Sequence, residues 1–256
     1  MKNKEYRIEI LGCPLDNLTI DETLRIIDEM IASGKPHQHV VVNVAKLLQI
    51  RSDPELKRIV SSCDIINVDG MPIIWASRLF RKRLKERVAG IDLMQKLIAE
   101  ATKKGYKLYF LGAEEDVVRN VVEKYKKVHP DIQIVGYRNG YWNVDEEREV
   151  VNAIRDSKPD ILFVAISSPK KEIFLEKYLD EIGVPFVMGV GGSYDIIAGK
   201  IKRAPLWAQK SGFEWLFRLV QEPRRMWKRY LIGNTIFVCV VVKELMKCLV
   251  KNFKNS

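Results

Sequence analysis

The sequence predicts an α/β protein: a three-layer, Rossmann-like body on a parallel sheet, followed by a helical C-terminal appendage. Three observations carry this. From Lys107 onward, short apolar runs alternate with amphipathic helical stretches. The runs are continuous in Val, Ile, Leu and Phe, the pattern of strands buried on both faces. The 256 residues, 47% of them apolar, suffice for one large core.

In chain order, Tyr6–Leu11, His39–Asn43 and Asp64–Val68 read as strands. Helices fall near Ile20–Ala32, Ala45–Arg51, Pro54–Ser61, Met71–Phe80 and Ile91–Lys104. Four strand–helix pairs follow: Lys107–Leu111 with Glu114–Lys127, Ile132–Val135 with Asp145–Asp156, Ile161–Ile166 with Pro169–Ile182, and Pro185–Val190 with Ser193–Ala198. No Gly/Ser-rich linker divides them, so residues 1–199 read as one body; whether its sheet has two lobes is left open.

The net charge of +10 is not spread evenly. Residues 200–256 hold 13 of the 43 basic residues and 3 of the 33 acidic ones, so the tail carries the whole excess and the body is neutral. Pro223 can open a helix in which Arg224, Arg225, Lys228 and Arg229 share one face beside Trp227 and Tyr230. Basic residues with interfacial aromatics suit a helix lying on anionic lipid, or else a solvated face packed through its aromatics. Nucleic acid is disfavoured, because the body is neutral and carries no recognition motif. Whether residues 231–256 form an amphipathic helix is undecided, since Phe237–Val242 is apolar all round.

Other classes are excluded on composition. Cys13, Cys63, Cys239 and Cys248 form no C-x-x-C pair, so neither a disulfide framework nor a zinc knuckle is expected, and a reducing cytoplasm fits best. The N-terminus lacks the apolar core of a signal peptide. The longest apolar run, Ile236–Val242, falls far short of the ~20 residues that span a bilayer. Three histidines without H-x-x-x-H spacing offer little for zinc or a Ser-His-Asp triad. No Asp-x-Asp occurs, so any diphosphate is expected to be met by Arg, Lys and helix N-termini without metal or other cofactor.

Ligands of open parallel sheets bind beyond the carboxyl ends of the strands, and the residues there are chemically informative. They are Asn43; Asp69-Gly70; Leu111-Gly112-Ala113; Gly140-Tyr141; Ser167-Ser168-Pro169-Lys170-Lys171; and Gly189-Val190-Gly191-Gly192-Ser193. Gly- or Ser-rich turns opening helices suit an anion such as a nucleotide diphosphate. Asp69 reads either as the N-cap of the helix at Met71 or as a rim carboxylate serving as general base. Asn43 either orients a hydroxyl or satisfies backbone groups. Arg87 is either a solvated loop residue or a planar donor to a diphosphate. Lys170 and Lys171 sit in the first turn of a helix, against the dipole preference, which an anion bound there would offset. The turn at Gly189–Gly192 is either a tight connection or a phosphate contact. It follows the last strand rather than the first, which counts against a nicotinamide fingerprint.

An ordered set of strings resembles one family. They are Val42–Leu47 (VNVAKL), Asp64–Gly70 (DIINVDG), Trp75–Arg78 (WASR), Glu86–Leu93 (ERVAGIDL), Phe110–Ala113 (FLGA), Asn139–Tyr141 (NGY), Ser168–Glu172 (SPKKE), Gly189–Asp195 (GVGGSYD), Lys202–Pro205 (KRAP) and Glu214–Arg225 (EWLFRLVQEPRR). Together they are similar to the WecB/TagA/CpsF glycosyltransferases, glycosyltransferase family 26, across nearly the whole chain. The resemblance implies an inverting, metal-independent enzyme at the inner membrane face. Such an enzyme moves N-acetylmannosamine or a related sugar from a UDP donor onto polyprenyl-diphosphate-linked N-acetylglucosamine, as in teichoic acid linkage-unit synthesis. It implies Asp69 as the general base, with Asn43 and Arg87 as its catalytic neighbours. Gly112, Tyr141, Lys171, Gly191, Gly192 and Asp195 would form the nucleotide and phosphate pocket, and Arg218, Arg224, Arg225 and Lys228 would bring the tail to the lipid diphosphate. Three departures from the family pattern stand out: Val41 for a common Thr, Lys171 for Gln, and Arg138-Asn139 for His-His. Glucose or N-acetylmannosaminuronic acid donors are the alternatives these departures leave open, and a homo-oligomer is likewise undecided. A Rossmann-type NAD or S-adenosylmethionine enzyme and a non-catalytic membrane-surface module are the more distant rivals.

Overall fold

The computed structural model describes residues 5–254. A hairpin of β1 (Arg7–Ile10) and β2 (Cys13–Asp16) precedes α1 (Ile20–Ala32), β3 (His37–Val42), α2 (Val44–Ser52), α3 (Pro54–Ser62), β4 (Ile65–Val68), α4 (Met71–Leu79) and α5 (Gly90–Lys104). Then come β5 (Lys107–Gly112), α6 (Glu115–Val128), β6 (Gln133–Arg138), α7 (Glu147–Ser157), β7 (Ile161–Ala165), α8 (Lys170–Ile182), β8 (Phe186–Gly189) and α9 (Ser193–Ile197). The C-terminal part is helical: α10 (Leu206–Lys210), α11 (Glu214–Gln221), α12 (Pro223–Trp227), a π-helical turn at Lys228–Ile232, and α13 (Gly233–Lys254).

Six strands form one parallel sheet in the order β4-β3-β8-β7-β5-β6. The sheet has no second lobe, because β8 pairs with β3 on one side and β7 on the other, joining the two halves of the chain. The continuous apolar runs follow from burial of both faces. Leu108, Phe110, Ile161, Phe163, Phe186 and Met188 face α1, α5, α6 and α9. Their alternates Tyr109, Leu111, Leu162, Val164 and Val187 face α7 and α8. On that second face, Val40, Val42, Ile66 and Val68 meet α2, α3 and α4. Each large apolar side chain so buried contributes about 1.5–3 kcal/mol.

The expected first strand, Tyr6–Leu11, lies outside the parallel sheet, in the antiparallel hairpin. The hairpin covers the free edge of β4: Asp16 Oδ2 accepts from the Ile66 amide at 2.8 Å, and Arg7 donates to Asp16 and to the Cys63 and Asp64 carbonyls. A sheet edge capped in this way is closed to pairing with another chain. β2 escaped the sequence reading because it is four residues long and contains Pro14.

The C-terminal helices fold back onto the body. Phe237 and Val241, one turn apart on α13, enter the apolar cluster under α2, while Val238 and Val242 remain exposed. That division settles the all-apolar stretch at Phe237–Val242. Arg203 pairs with Asp92 of α5 at 2.6 Å, and Gly212 packs so closely on Trp75 that a Cβ there would lie 2.7 Å from the indole. All four cysteines are free. Among the described residues, no helix is long and apolar enough to cross a membrane.

Candidate active site

The carboxyl ends of β4, β3, β8, β7 and β5 open into a cleft of about 1140 Å³, roofed by residues of α11, α12 and the π-helical turn. Asp69, Asn43, Tyr141, Lys171, Gly191, Gly192, Asp195, Arg218, Arg225 and Lys228 all line it. Tertiary structure thus brings together residues scattered over 186 positions of sequence.

Asp69 follows the last residue of β4 and extends the ladder, its amide donating to the Val42 carbonyl at 2.9 Å. The chain then turns at Gly70, whose φ of +124° few side chains would tolerate. Gly70, not Asp69, is the N-cap of α4, and no side chain caps that helix. The capping alternative for Asp69 is therefore set aside, and its carboxylate faces the cleft. Arg87 is brought beside it by the Val88 amide, which donates to the Val68 carbonyl at 2.9 Å. Arg87 Nη1 lies 3.7 Å from Asp69 Oδ1 and 2.7 Å from Glu214 Oε2. The guanidinium is thus drawn away from Asp69 by a carboxylate of α11.

Burial at the foot of the cleft pushes the Asp69 carboxyl up to about 6, although about a third of the side chain stays open to solvent; Arg87 pulls it down and Glu214 pushes it back up. A base titrating there is largely ionised at neutral pH yet retains proton affinity. The Asp69 carboxyl resonance is expected to titrate near pH 6 by ¹³C NMR. In Glu214→Gln the loss of the nearby negative charge, with Arg87 freed toward Asp69, moves this titration to lower pH. An unmoved titration would remove Glu214 from the control of the base.

Asn43 Oδ1 accepts from the Lys46 amide at 3.0 Å and caps α2. This satisfies a backbone group and fixes the side chain at the cleft wall. Asp195 is raised above the ordinary aspartate range by burial, against the pull of Arg225, Lys200 and Arg218. Arg218 Nη2 lies 2.8 Å from where a Gly192 Cβ would be, so the guanidinium rests directly on this turn. Arg218 and Arg225 both reach Glu222, at 3.4 and 2.9 Å. Tyr141 is 70% exposed at the far rim.

Three of the sequence-selected residues stand apart from the lining, and the first, Arg87, meets it only through its pairing with the lining residues Asp69 and Glu214. Gly112, φ +118°, sits against β7, where a Cβ would lie 2.5 Å from the Ala165 carbonyl; its place is in close strand packing behind Ala113 and Gly140. Arg224 is exposed and points off the cleft, because its neighbour Met226 turns inward and orients α12. Lys170 stacks over Trp142 at 5.0 Å, which separates it from Lys171.

Lys46, Glu214 and Glu222 also line the cleft and were not singled out from the sequence, and Arg229, expected only on the basic face of the tail, lines it too. Lys46 had a local signal, its position one turn after a strand-end asparagine. Glu214 and Glu222 had none, since only the folded tail places them opposite the body. His39 is buried, bonded to Asn67 at 2.8 Å, and pushed down to about 4 by burial, so it is a neutral core residue. No cluster of three His, Cys, Asp or Glu suited to a metal occurs among the described residues.

The model of the glycosyl transferase WecG/TagA/CpsF family matches residues 8–250. Two curated relatives bear the name N-acetylglucosaminyldiphosphoundecaprenol N-acetyl-beta-D-mannosaminyltransferase. The protein of Bacillus spizizenii is 37% identical over 192 residues, 75% of this chain and 73% of the relative. That of Bacillus subtilis is 38% identical over 186 residues, 73% and 71% of the two chains. A match spanning both the strand-end cleft and the helices that roof it means that the chain belongs to the WecG/TagA/CpsF family of glycosyl transferases.

Proposed function

We propose that the protein transfers N-acetylmannosamine, with inversion, from a UDP donor to undecaprenyl-diphosphate-linked N-acetylglucosamine. The observation that carries this is a cleft-facing carboxylate, Asp69, free of any capping duty and raised to about 6 in a pocket otherwise rich in cations. The names of the two Bacillus relatives supply the acceptor and the sugar.

In this reading, Asp69 takes the proton of the acceptor hydroxyl as its oxygen bonds to the anomeric carbon. The bond from that carbon to the diphosphate oxygen breaks on the opposite face, and UDP leaves with the electron pair. Asn43 and Arg87 hold the base and the acceptor. Tyr141, Lys171, Asp195 and the Gly191-Gly192 turn receive the nucleotide and its phosphates, with Gly112 setting the strand spacing behind them. Arg218, Arg225 and Lys228 reach the lipid-linked diphosphate from the roof, and charge-assisted bonds from preorganised donors suit that role. No metal or other cofactor is required in this scheme.

The C-terminal helices also leave Trp207, Leu216, Val220, Trp227 and Leu231 exposed. With Arg224 and Lys228 alongside, this surface supports peripheral binding to an anionic membrane, on the side where a soluble UDP-sugar is available.

The test is an assay of UDP-N-acetylmannosamine, UDP-glucose and UDP-N-acetylmannosaminuronic acid against a lipid-diphosphate N-acetylglucosamine acceptor, with product linkage determined. Transfer from UDP-N-acetylmannosamine with inverted anomeric configuration is the expected result. Preference for another sugar would correct the donor, and no transfer from any of them would overturn the reading.

A further inference from the structure

Two lysines share one carboxylate beneath the cleft. Lys46, in the first turn of α2, forms an ion pair with Glu172 Oε1, and Lys171, in the first turn of α8, lies 3.3 Å from the same oxygen. The side chains of Lys46, Lys171 and Glu172 are 8%, 7% and 0% exposed, yet both lysines line the cleft. The site is built to hold them. At Gly189 a Cβ would fall 2.7 Å from Lys171 Cε and 2.8 Å from its Nζ, so β8 must end in glycine for the ammonium to lie there.

The charges do not balance. Two ammonium groups face one carboxylate, which leaves an excess positive charge in a desolvated place where unpaired charges are costly. Burial pushes the Glu172 carboxyl up, but Lys171 and Lys46 more than offset this and hold it below its ordinary range, so it is ionised. Burial and then Lys171 push Lys46 down to about 8, against the pull of Glu172. His39, close enough to feel both lysines, is neutral and adds no negative charge. Other cleft carboxylates face other cations: Glu114 pairs with Lys200, Glu214 and Asp69 with Arg87, and Glu222 with Arg218 and Arg225, while Asp195 feels Arg225, Lys200 and Arg218.

Strand order locates this excess. Lys46 follows β3, and Lys171 lies over the end of β8, its neighbour in the sheet. Asp69 lies beyond β4 on one side, and Gly140 and Tyr141 lie toward β5 and β6 on the other. An anion between the base and the nucleotide end of the cleft is what such a charge would complete.

We propose that Lys46 and Lys171, held together by Glu172, form a buried seat for the donor diphosphate and receive the negative charge that grows on UDP as the glycosidic bond breaks. Glu172 is a positioning residue: it touches no ligand, but without it the two ammonium groups would repel each other. This rests on the glycosyl-transfer reading above. It adds Lys46 and Glu172 to the site and narrows the part of Lys171 to the diphosphate.

The experiment is calorimetric titration of the full chain, in chelator, with inorganic pyrophosphate, UDP and uridine. Lys171→Gln keeps the Lys46–Glu172 pair but removes the charge excess, and Lys46→Met removes it from the other side. Each is expected to weaken pyrophosphate and UDP by about 10- to 100-fold, the worth of one charge-assisted bond, with uridine unaffected. Lys177→Gln, on the same helix but paired with Glu147, should bind as the parent does. Thermal melts of each variant confirm folding. Unchanged pyrophosphate affinity in both lysine variants, or no binding by the parent chain, would overturn the seat even if sugar transfer proceeds. Loss of pyrophosphate binding in a protein that transfers no sugar would keep the seat and overturn the transfer reading instead.

Discussion

Asp69→Asn is expected to cut sugar transfer by about 10²–10⁴-fold, the typical worth of a positioned general base, while UDP binding is retained. The amide is nearly the size of the carboxylate and cannot accept the proton. Asp69 makes no cap and its backbone bond to Val42 does not involve the side chain, so the fold should tolerate the exchange. Arg87 keeps its contact with Glu214 in the variant. In the parent enzyme the rate should fall as pH drops through about 6, where the raised carboxyl becomes protonated and stops acting as a base. The asparagine variant's residual rate should lack that acid limb. Near-parental turnover in Asp69→Asn would assign the base to another group.

The second large effect is expected from Arg218→Ala combined with Arg225→Ala. Both guanidinium groups lie in the roof of the cleft and converge on Glu222, so removing them leaves that carboxylate facing the cleft uncompensated. Two charge-assisted contacts of about 1.5–3 kcal/mol each, not fully additive, translate to about 10²–10³-fold in kcat/KM for the lipid-diphosphate acceptor. UDP affinity should change far less, because Lys46 and Lys171 lie below the roof. An acceptor KM equal to that of the parent would remove these arginines from acceptor binding.

Much of the body was legible in the sequence. The boundaries of α1, Ile20–Ala32, and the strands at β5 and β7 follow from local pattern alone, since a run such as Ile161–Ala165 has no stable place except between two layers of helices. Where the reading stopped short, a non-local cause is identifiable. The hairpin at β1 and β2 exists because Arg7 and Asp16 bind the edge of β4, 50 residues away from Asp16. Sheet continuity depends on β8 inserting between β3 and β7, which no periodicity announces. At the site, Asp69, Asn43 and Lys171 were legible because strand ends of a parallel sheet face a shared crevice.

What the sequence by itself determined was the α/β class, the placement of polar residues at strand ends, and a tail that holds the entire charge excess, all consequences of short-range pattern and composition. Only the tertiary structure decided which of those residues meet. It brought Glu214 of the tail against Arg87, set two buried lysines against one glutamate, left Arg87, Gly112 and Arg224 out of the lining, and split α13 into a packed and an exposed face. The physical reason is that burial and charge pairing depend on distances across the fold, and these arise only when the helices close over the sheet.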